Sequence, residues 1–295
     1  MIIRLPDINS TESGPLFLGE RQRLATCTAV KFIDDDRLLA ASLVGLRIYL
    51  MRYEMATGHH EILDDVATRF DGKPAVVDLI DFDGGETVAA SNFRYRSASL
   101  YRLAGDRLEF DRDLPIDDPD RGFCHGVKFV PPENRILCLS TVSGNRSIYF
   151  IDVAENEIVY KFADGEWRPK DICFIDRDLM ILAATDASPA PEARRPPVTK
   201  FSLVELDLSA GRHRILDEML VENCHADCCR HAGGKIYVAD QMSDMVRILA
   251  VDRDGLRPAG EIGGYSFPHG LDILPEAGLL AVANYGNNSL VLKEL

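Results

Sequence analysis

The chain has little of what most enzyme and nucleic-acid signatures require. It contains no Gly-rich phosphate loop, no CxxC pair and no HExxH. No apolar run approaches the roughly 20 residues needed to span a bilayer. The opening residues, Met1-Ile2-Ile3-Arg4-Leu5-Pro6, lack the basic region and long apolar stretch of a secretory signal. The seven Cys are odd in number and fall mostly inside predicted strands. They read as buried free thiols in a reducing compartment, not as a disulfide framework. Lys plus Arg total 33 against 47 Asp plus Glu, for a formal net charge of −14 with no basic run. Nucleic-acid binding rests on neutralising phosphates, so the composition argues against it. The expectation is a cytoplasmic protein that engages neither nucleic acid nor membrane.

What the chain does contain is a repeat. Its last stretch, Phe267 to Leu295, reads as strand, tight turn, small-residue-rich strand, polar loop and strand. The same pattern recurs at Thr28–Ser42, Val76–Ser91, His125–Ser140, Lys170–Thr185 and His225–Asp240. Each hairpin is followed by a third and usually a fourth strand. Taking the starts as 28, 75, 125, 170, 225 and 269 gives intervals of 44 to 55 residues, the period of a four-stranded propeller blade. The final unit lacks an outer strand, and spare strand-like residues precede the first. The predicted fold is therefore an all-β, six-bladed β-propeller, one domain over residues 1–295. Residues 1–20 would supply an N-terminal strand that completes the last blade and removes the open edges.

In such a ring the innermost strand of every blade lines a central channel, and the residue entering it sits at one mouth. The six entering residues are Thr28, Ala75, His125, Lys170, His225 and His269. Three of the seven His thus share one repeat position. Three imidazoles with an open position suit a zinc-like divalent metal. Alternatively, the same His with Lys170 and Arg168 form a cationic mouth that holds an anionic small molecule without metal. A His entering an inner strand can also simply hydrogen-bond a carbonyl of the next blade. Around this mouth the connections bring Trp167 and Arg168, and the loops after the second strands bring Arg94, Tyr95, Arg146, Asp240, Asn284 and Tyr285. Arg94, Tyr95, Arg146 and Tyr285 are candidates for substrate binding or proton transfer. Lys170, Arg168, Trp167, Asn284 and Asp240 are candidates for substrate contacts. The Pro-rich insertion from Ala187 to Pro197 cannot join a ladder and leaves the fold at the same end.

Two resemblances follow from these residues. Cys224-His225-Ala226, Gly233-Gly234-Lys235-Ile236-Tyr237-Val238-Ala239-Asp240, and Pro268-His269-Gly270 through Asn284-Tyr285-Gly286 resemble the lactonase-type propellers that include the 6-phosphogluconolactonases. The channel-mouth arrangement resembles the six-bladed NHL-type propellers, including the peptidyl-amidoglycolate lyases, which hold zinc through three His with Arg and Tyr beside it. That resemblance implies His125, His225 and His269 as metal ligands. The expected function is a metal-assisted hydrolase or lyase acting on a small polar or anionic molecule. The alternative is a non-catalytic propeller, a ligand sensor or a scaffold for a protein partner.

Overall fold

The computed structural model describes residues 1–5, 27–43, 45–93, 95, 97–118, 122–186, 197–252 and 255–295. Short apolar runs become strands, and the acidic stretches between them become tight turns. In blade one, Asp34 Oδ1 accepts the Arg37 N–H at 2.9 Å; in blade two, Asp83 Oδ1 accepts those of Gly85 and Thr87 at 2.8 and 2.9 Å. An Asp side chain that bonds forward onto its own backbone ends one strand and aims the next back along it. Six four-stranded antiparallel sheets result. Their innermost strands are Cys27–Phe32, Val77–Phe82, Cys124–Phe129, Arg168–Phe174, Ala226–Ala232 and Pro268–Leu274. Each packs against the innermost strands on either side, and the sixth packs against the first. The protein is a six-bladed β-propeller.

Packing against neighbours on both faces dictates the composition of the second strands. These are near-continuous apolar runs rich in Ala, such as Leu39-Ala40-Ala41 and Ala281-Val282-Ala283, all fully buried. Blades crowd toward the axis, so small side chains fit there. The outer strands alternate half-buried and exposed residues, as in Glu157–Ala163, because one face meets water. The sixth blade takes its outer strand from the other end of the chain. Ile2–Arg4 pairs with Ser289–Glu294, with Ile3 opposite Leu290. Ile3 and Leu5 are buried in one core cluster with Tyr49, Met51, Leu290 and Leu292. The rest of the 1–20 segment lies outside the described residues. A small hairpin between blades one and two, Arg69–Phe70 with Lys73–Pro74, was not expected. Its turn, Asp71-Gly72, has both residues at positive φ, the conformation that suits a two-residue hairpin.

The inner strands share a device that sets the geometry of the channel. Each carries a bulge near its start, where pairing with the second strand skips after Cys27, Val77, Cys124, Pro169, Ala226 and Pro268. A bulge changes the alternation of side chains, so residues three apart can face the same way. Deep in the channel this produces a closed ring of charge with one residue from each blade. Lys31 meets Asp81 at 3.5 Å and Asp272 at 3.3 Å. Lys128 meets Asp81 at 4.0 Å and Asp171 at 3.9 Å. Arg230 meets Asp171 and Asp272, each at 3.2 Å. The signs alternate all the way round. Each Asp also accepts a backbone N–H from the next blade: Phe129 to Asp81, Cys229 to Asp171 and Phe32 to Asp272, at 2.8–2.9 Å. Burial would push Asp81 up, but Lys128 and Lys31 outweigh it and hold the carboxyl below its usual range.

All seven Cys are free and buried. Burial raises Cys27 and Cys138 well above the usual thiol value, so these sulfurs are unreactive packing groups. Among the described residues, no helix is long and apolar enough to cross a membrane.

Candidate functional site

The bulges correct the register assumed from the sequence. The residue that follows the last regular pair in each inner strand is Thr28, Asp78, His125, Lys170, Asp227 and His269. Four of these are the entering residues identified above. In blade two the position belongs to Asp78 and not to Ala75. In blade five it belongs to Asp227, and His225 lies two residues earlier on the rim. The layer that faces the channel mouth is therefore two carboxylates, two imidazoles and one ammonium, with the Thr28 hydroxyl turned onto the Ala41 and Val77 carbonyls.

These groups converge. His269 Nε2 lies 3.1 Å from Asp78 Oδ1, and His125 Nε2 lies 3.6 Å from Asp78 Oδ2 and 3.3 Å from Asp227 Oδ1. The His125 and His269 rings stack with centroids 5.4 Å apart. Lys170 Nζ donates to Asp227 Oδ1 at 2.8 Å. His225 is 26% exposed, and its Nδ1 lies 3.3 Å from Asp227 Oδ2 without hydrogen-bond alignment. His125 is 2% exposed, and its Nδ1 has no hydrogen-bond partner among the described residues. His269 Nδ1 donates to the Thr28 carbonyl at 2.9 Å, which is the bond to a neighbouring blade that a purely structural His would make. Backbone supports fix the layer from behind. Ser91 Oγ donates to the His125 carbonyl and Ser140 Oγ to the Lys170 carbonyl, both at 2.6 Å.

The layer floors a cavity of about 430 Å³. One wall is apolar: Leu43, Val76, Phe267 and Tyr285 form a buried cluster against which Phe93 packs. The Tyr285 ring stands 5.4 Å from that of His269. Burial, with Asp78 and Asp227 nearby, pushes its hydroxyl far up, which favours the protonated form. Arg168, Lys170, His225 and Gln241 complete the polar side.

The other expected site residues are distributed differently. Arg146 lines an adjoining chamber and donates to the Glu166 carbonyl at 2.9 Å. Tyr95 stacks on Phe70 of the small hairpin and is not part of the cavity lining. Trp167 lies under the Lys200 ammonium, outside the lining as well. Asp240 and Asn284 close their own blades. Asp240 accepts the His225 N–H at 3.0 Å and pairs with Arg247 at 2.6 Å. Asn284 Oδ1 accepts the Ser266 N–H at 3.2 Å. Both end a second strand opposite the start of the inner one, where a polar side chain is needed to tie the loop. Arg94 and residues 187–196 lie outside the described residues.

The charges in this layer support one another. Burial would raise Asp78, but His125 and His269 outweigh it and hold its carboxyl below the usual range. Asp227 is held well below, because Lys170 and then His225 overcome its burial. Burial would lower His269, but Asp78 outweighs it and the imidazole is raised. A raised folded value means protonated His269 stabilises the fold fully below about pH 6.5, and that support is lost as pH rises through the folded value. The depressed Asp78 and Asp227 contribute above about pH 3.9 and fail only as pH falls through their own folded values. Chelator-treated protein is therefore expected to lose melting temperature as pH rises above about 6.5, and His269→Gln to flatten that decline. Equal slopes in the two proteins would remove His269 as the cause.

Comparison with known proteins shows the fold alone. No protein-family model matches the chain, and no curated protein matches its sequence. Among solved structures it is similar to hydrazine synthase of Kuenenia stuttgartiensis, with TM-score 0.64 and 16% identity over 96% of this chain and 98% of that one. It is similar to the WD40 β-propeller domain of Doa1, with TM-score 0.62 and 12% identity over 91% and 92%. It is similar to a protein from Lactobacillus plantarum, with TM-score 0.61 and 17% identity over 90% and 80%. At these identities the likeness extends to the β-propeller architecture and stops there.

Proposed function

We propose that the channel mouth binds a divalent metal through Asp78, His125 and His269, and that the protein is a hydrolase or lyase acting on a small polar molecule there. One observation carries this reading. The carboxylate oxygen and the two imidazole nitrogens of these buried residues all lie within 4.8 Å of one another at the floor of a cavity. Two imidazoles and a carboxylate suit zinc and similar divalent ions. His269 also has the outer hydrogen bond that fixes a ligating imidazole, since its Nδ1 donates to Thr28 and leaves Nε2 facing the cluster. The set differs from the three imidazoles expected from the sequence, because His225 is outside it and Asp78 takes its place.

A divalent ion there would polarise a carbonyl or lower the pKa of bound water. The chain's own groups divide the remaining work. Asp227 pins Lys170 and so screens its charge from the cluster. The protonated Tyr285 hydroxyl can donate toward a developing negative charge. The Leu43, Val76 and Phe267 wall keeps bulk water from one side of the cavity. His225, at the rim and against Asp227, can exchange a proton with solvent.

Metal analysis of protein purified without a His tag, followed by zinc titration, tests this. His269→Ala and Asp78→Asn should weaken zinc binding by more than the roughly 10–100-fold that loss of an outer partner costs. His225→Ala should leave it nearly unchanged. Absence of saturable zinc binding in the parent protein would remove the catalytic reading and favour a non-catalytic sensor or scaffold.

A further inference from the structure

Beside the floor cavity lies a second chamber of about 400 Å³ on the same face. The two share Phe93, Arg168, Lys170 and His225 along their boundary. We infer that this second chamber is an oxyanion subsite, and that the substrate is a two-ended molecule with a carboxylate or phosphate at the end remote from the Asp78–His125–His269 cluster. Its role as a substrate subsite rests on the reading above; its capacity to hold an anion does not.

The argument begins with charge. The chain carries net −14, so its general field repels anions. Yet the described lining of this chamber includes Arg146, Arg168 and Lys170 against the carboxylate of Asp186, and with Asp227 paired to Lys170 the balance is still positive. A concave cationic lining on an acidic protein is a local reversal of sign, and concavity concentrates its field. Geometry adds to this. The Arg146 guanidinium is anchored through Nη1 by a neutral carbonyl, that of Glu166, which holds the group without cancelling its charge. Its backbone sits in a tight turn, with the Arg146 N–H on the Ser143 carbonyl and φ at 49°. That turn is itself tied down, since Ser143 Oγ accepts the Phe123 N–H and the Val142 N–H reaches the Phe123 carbonyl. A planar, preorganised guanidinium is the side chain best matched to carboxylate and phosphate oxygens. Lys170 belongs to both chambers, so a molecule reaching from one to the other passes the ammonium that Asp227 holds.

Calorimetric titration of inorganic phosphate and of succinate into chelator-treated protein tests the subsite independently of metal. Saturable binding of phosphate is expected if the substrate is a phosphate ester, and of succinate if it is a carboxylate. Arg146→Gln should weaken the binding about tenfold or more, as expected for loss of one charge-assisted contact. Arg168→Gln should do the same, and Arg146→Gln carries the test if the second variant does not fold. Anion binding that survives in both variants, or no saturable binding of either anion, overturns the inference. Anion binding without zinc binding would leave the subsite standing and sink only the metal reading.

Discussion

Asp171→Ala is expected to destabilise the fold by about 3–5 kcal/mol, the loss typical when one member of a buried ion pair is removed. At roughly 2–4 °C per kcal/mol this is a fall of about 10 °C in melting temperature. Asp171 is fully buried, and it belongs to the ring that alternates Lys31, Asp81, Lys128, Asp171, Arg230 and Asp272. Removing it leaves Lys128 and Arg230 with no anion between them. It also takes the acceptor from the Cys229 N–H, which would otherwise be paired at 2.9 Å. Asp171→Asn separates the two effects, because the amide keeps an acceptor oxygen and loses the charge. The ring as a whole need not be a net source of stability, since buried charges repay their desolvation only when every partner is present. A double variant, Lys128→Met with Asp171→Leu, should therefore lose less than the sum of the two single changes. An Asp171→Ala protein that melts within about 2 °C of the parent would show that the ring contributes little.

Gly270→Ala is the second large effect, and it strikes the fold and the site together. An added Cβ would lie 2.5 Å from the Thr28 carbonyl oxygen and 2.7 Å from Ala29 Cα. Both are backbone atoms of the adjoining blade, so no side-chain rotation relieves the clash. The first and sixth blades must separate, at a cost of about 1–3 kcal/mol or more. The Thr28 carbonyl is also the acceptor for His269 Nδ1. Displacing it releases the imidazole, so on the proposed reading zinc affinity should fall even though none of the three proposed ligands has been changed. Gly126, after His125, is equally confined, with Asp171 Oδ1, Lys170 O and Ser140 Oγ all within 2.8 Å of a Cβ there. Wild-type melting and zinc binding in Gly270→Ala would refute the argument from close approach.

The architecture was legible because it rests on repetition: turn residues and small-residue strands recur at blade period. Four of the six channel-mouth positions followed from the same alignment. Asp78 and Asp227 did not, for a physical reason. Without bulges, alternation identifies an inner strand's facing residues from its start, and that start is ambiguous by two or three residues where His225 and Ala75 precede the regular pairing. A better anchor was present in the sequence. Lys31, Asp81, Lys128, Arg230 and Asp272 are charged residues inside otherwise apolar strands, and each stands three residues after its channel-mouth partner. Aligning on those charges selects Thr28, Asp78, His125, Asp227 and His269. Blade four departs from this rule, with Cys173 at that offset and Asp171 supplying the charge. Asp240 and Asn284 are a different case: both make contacts that close their own blades, as polar residues at loop mouths often do.

Closure of the ring by Ile2–Arg4 has a consequence for how the protein comes into being. Ile2 pairs with Val291 and Arg4 with Ser289, so the two strands that close the ring are separated in synthesis by all the blades between them. At roughly 5–20 residues per second, the wait between them is on the order of 15–60 seconds. Through that interval the growing chain is an open arc whose first and latest blades each leave an apolar sheet face uncovered, a state prone to aggregation. Blades can form one after another, since their hairpins are local, but the Ile3 and Leu5 positions in the shared core fill only at the end. A chain stalled short of residue 289 should thus be recognised as unfinished by chaperones and proteases, whereas the completed ring acquires its stability in a single late step.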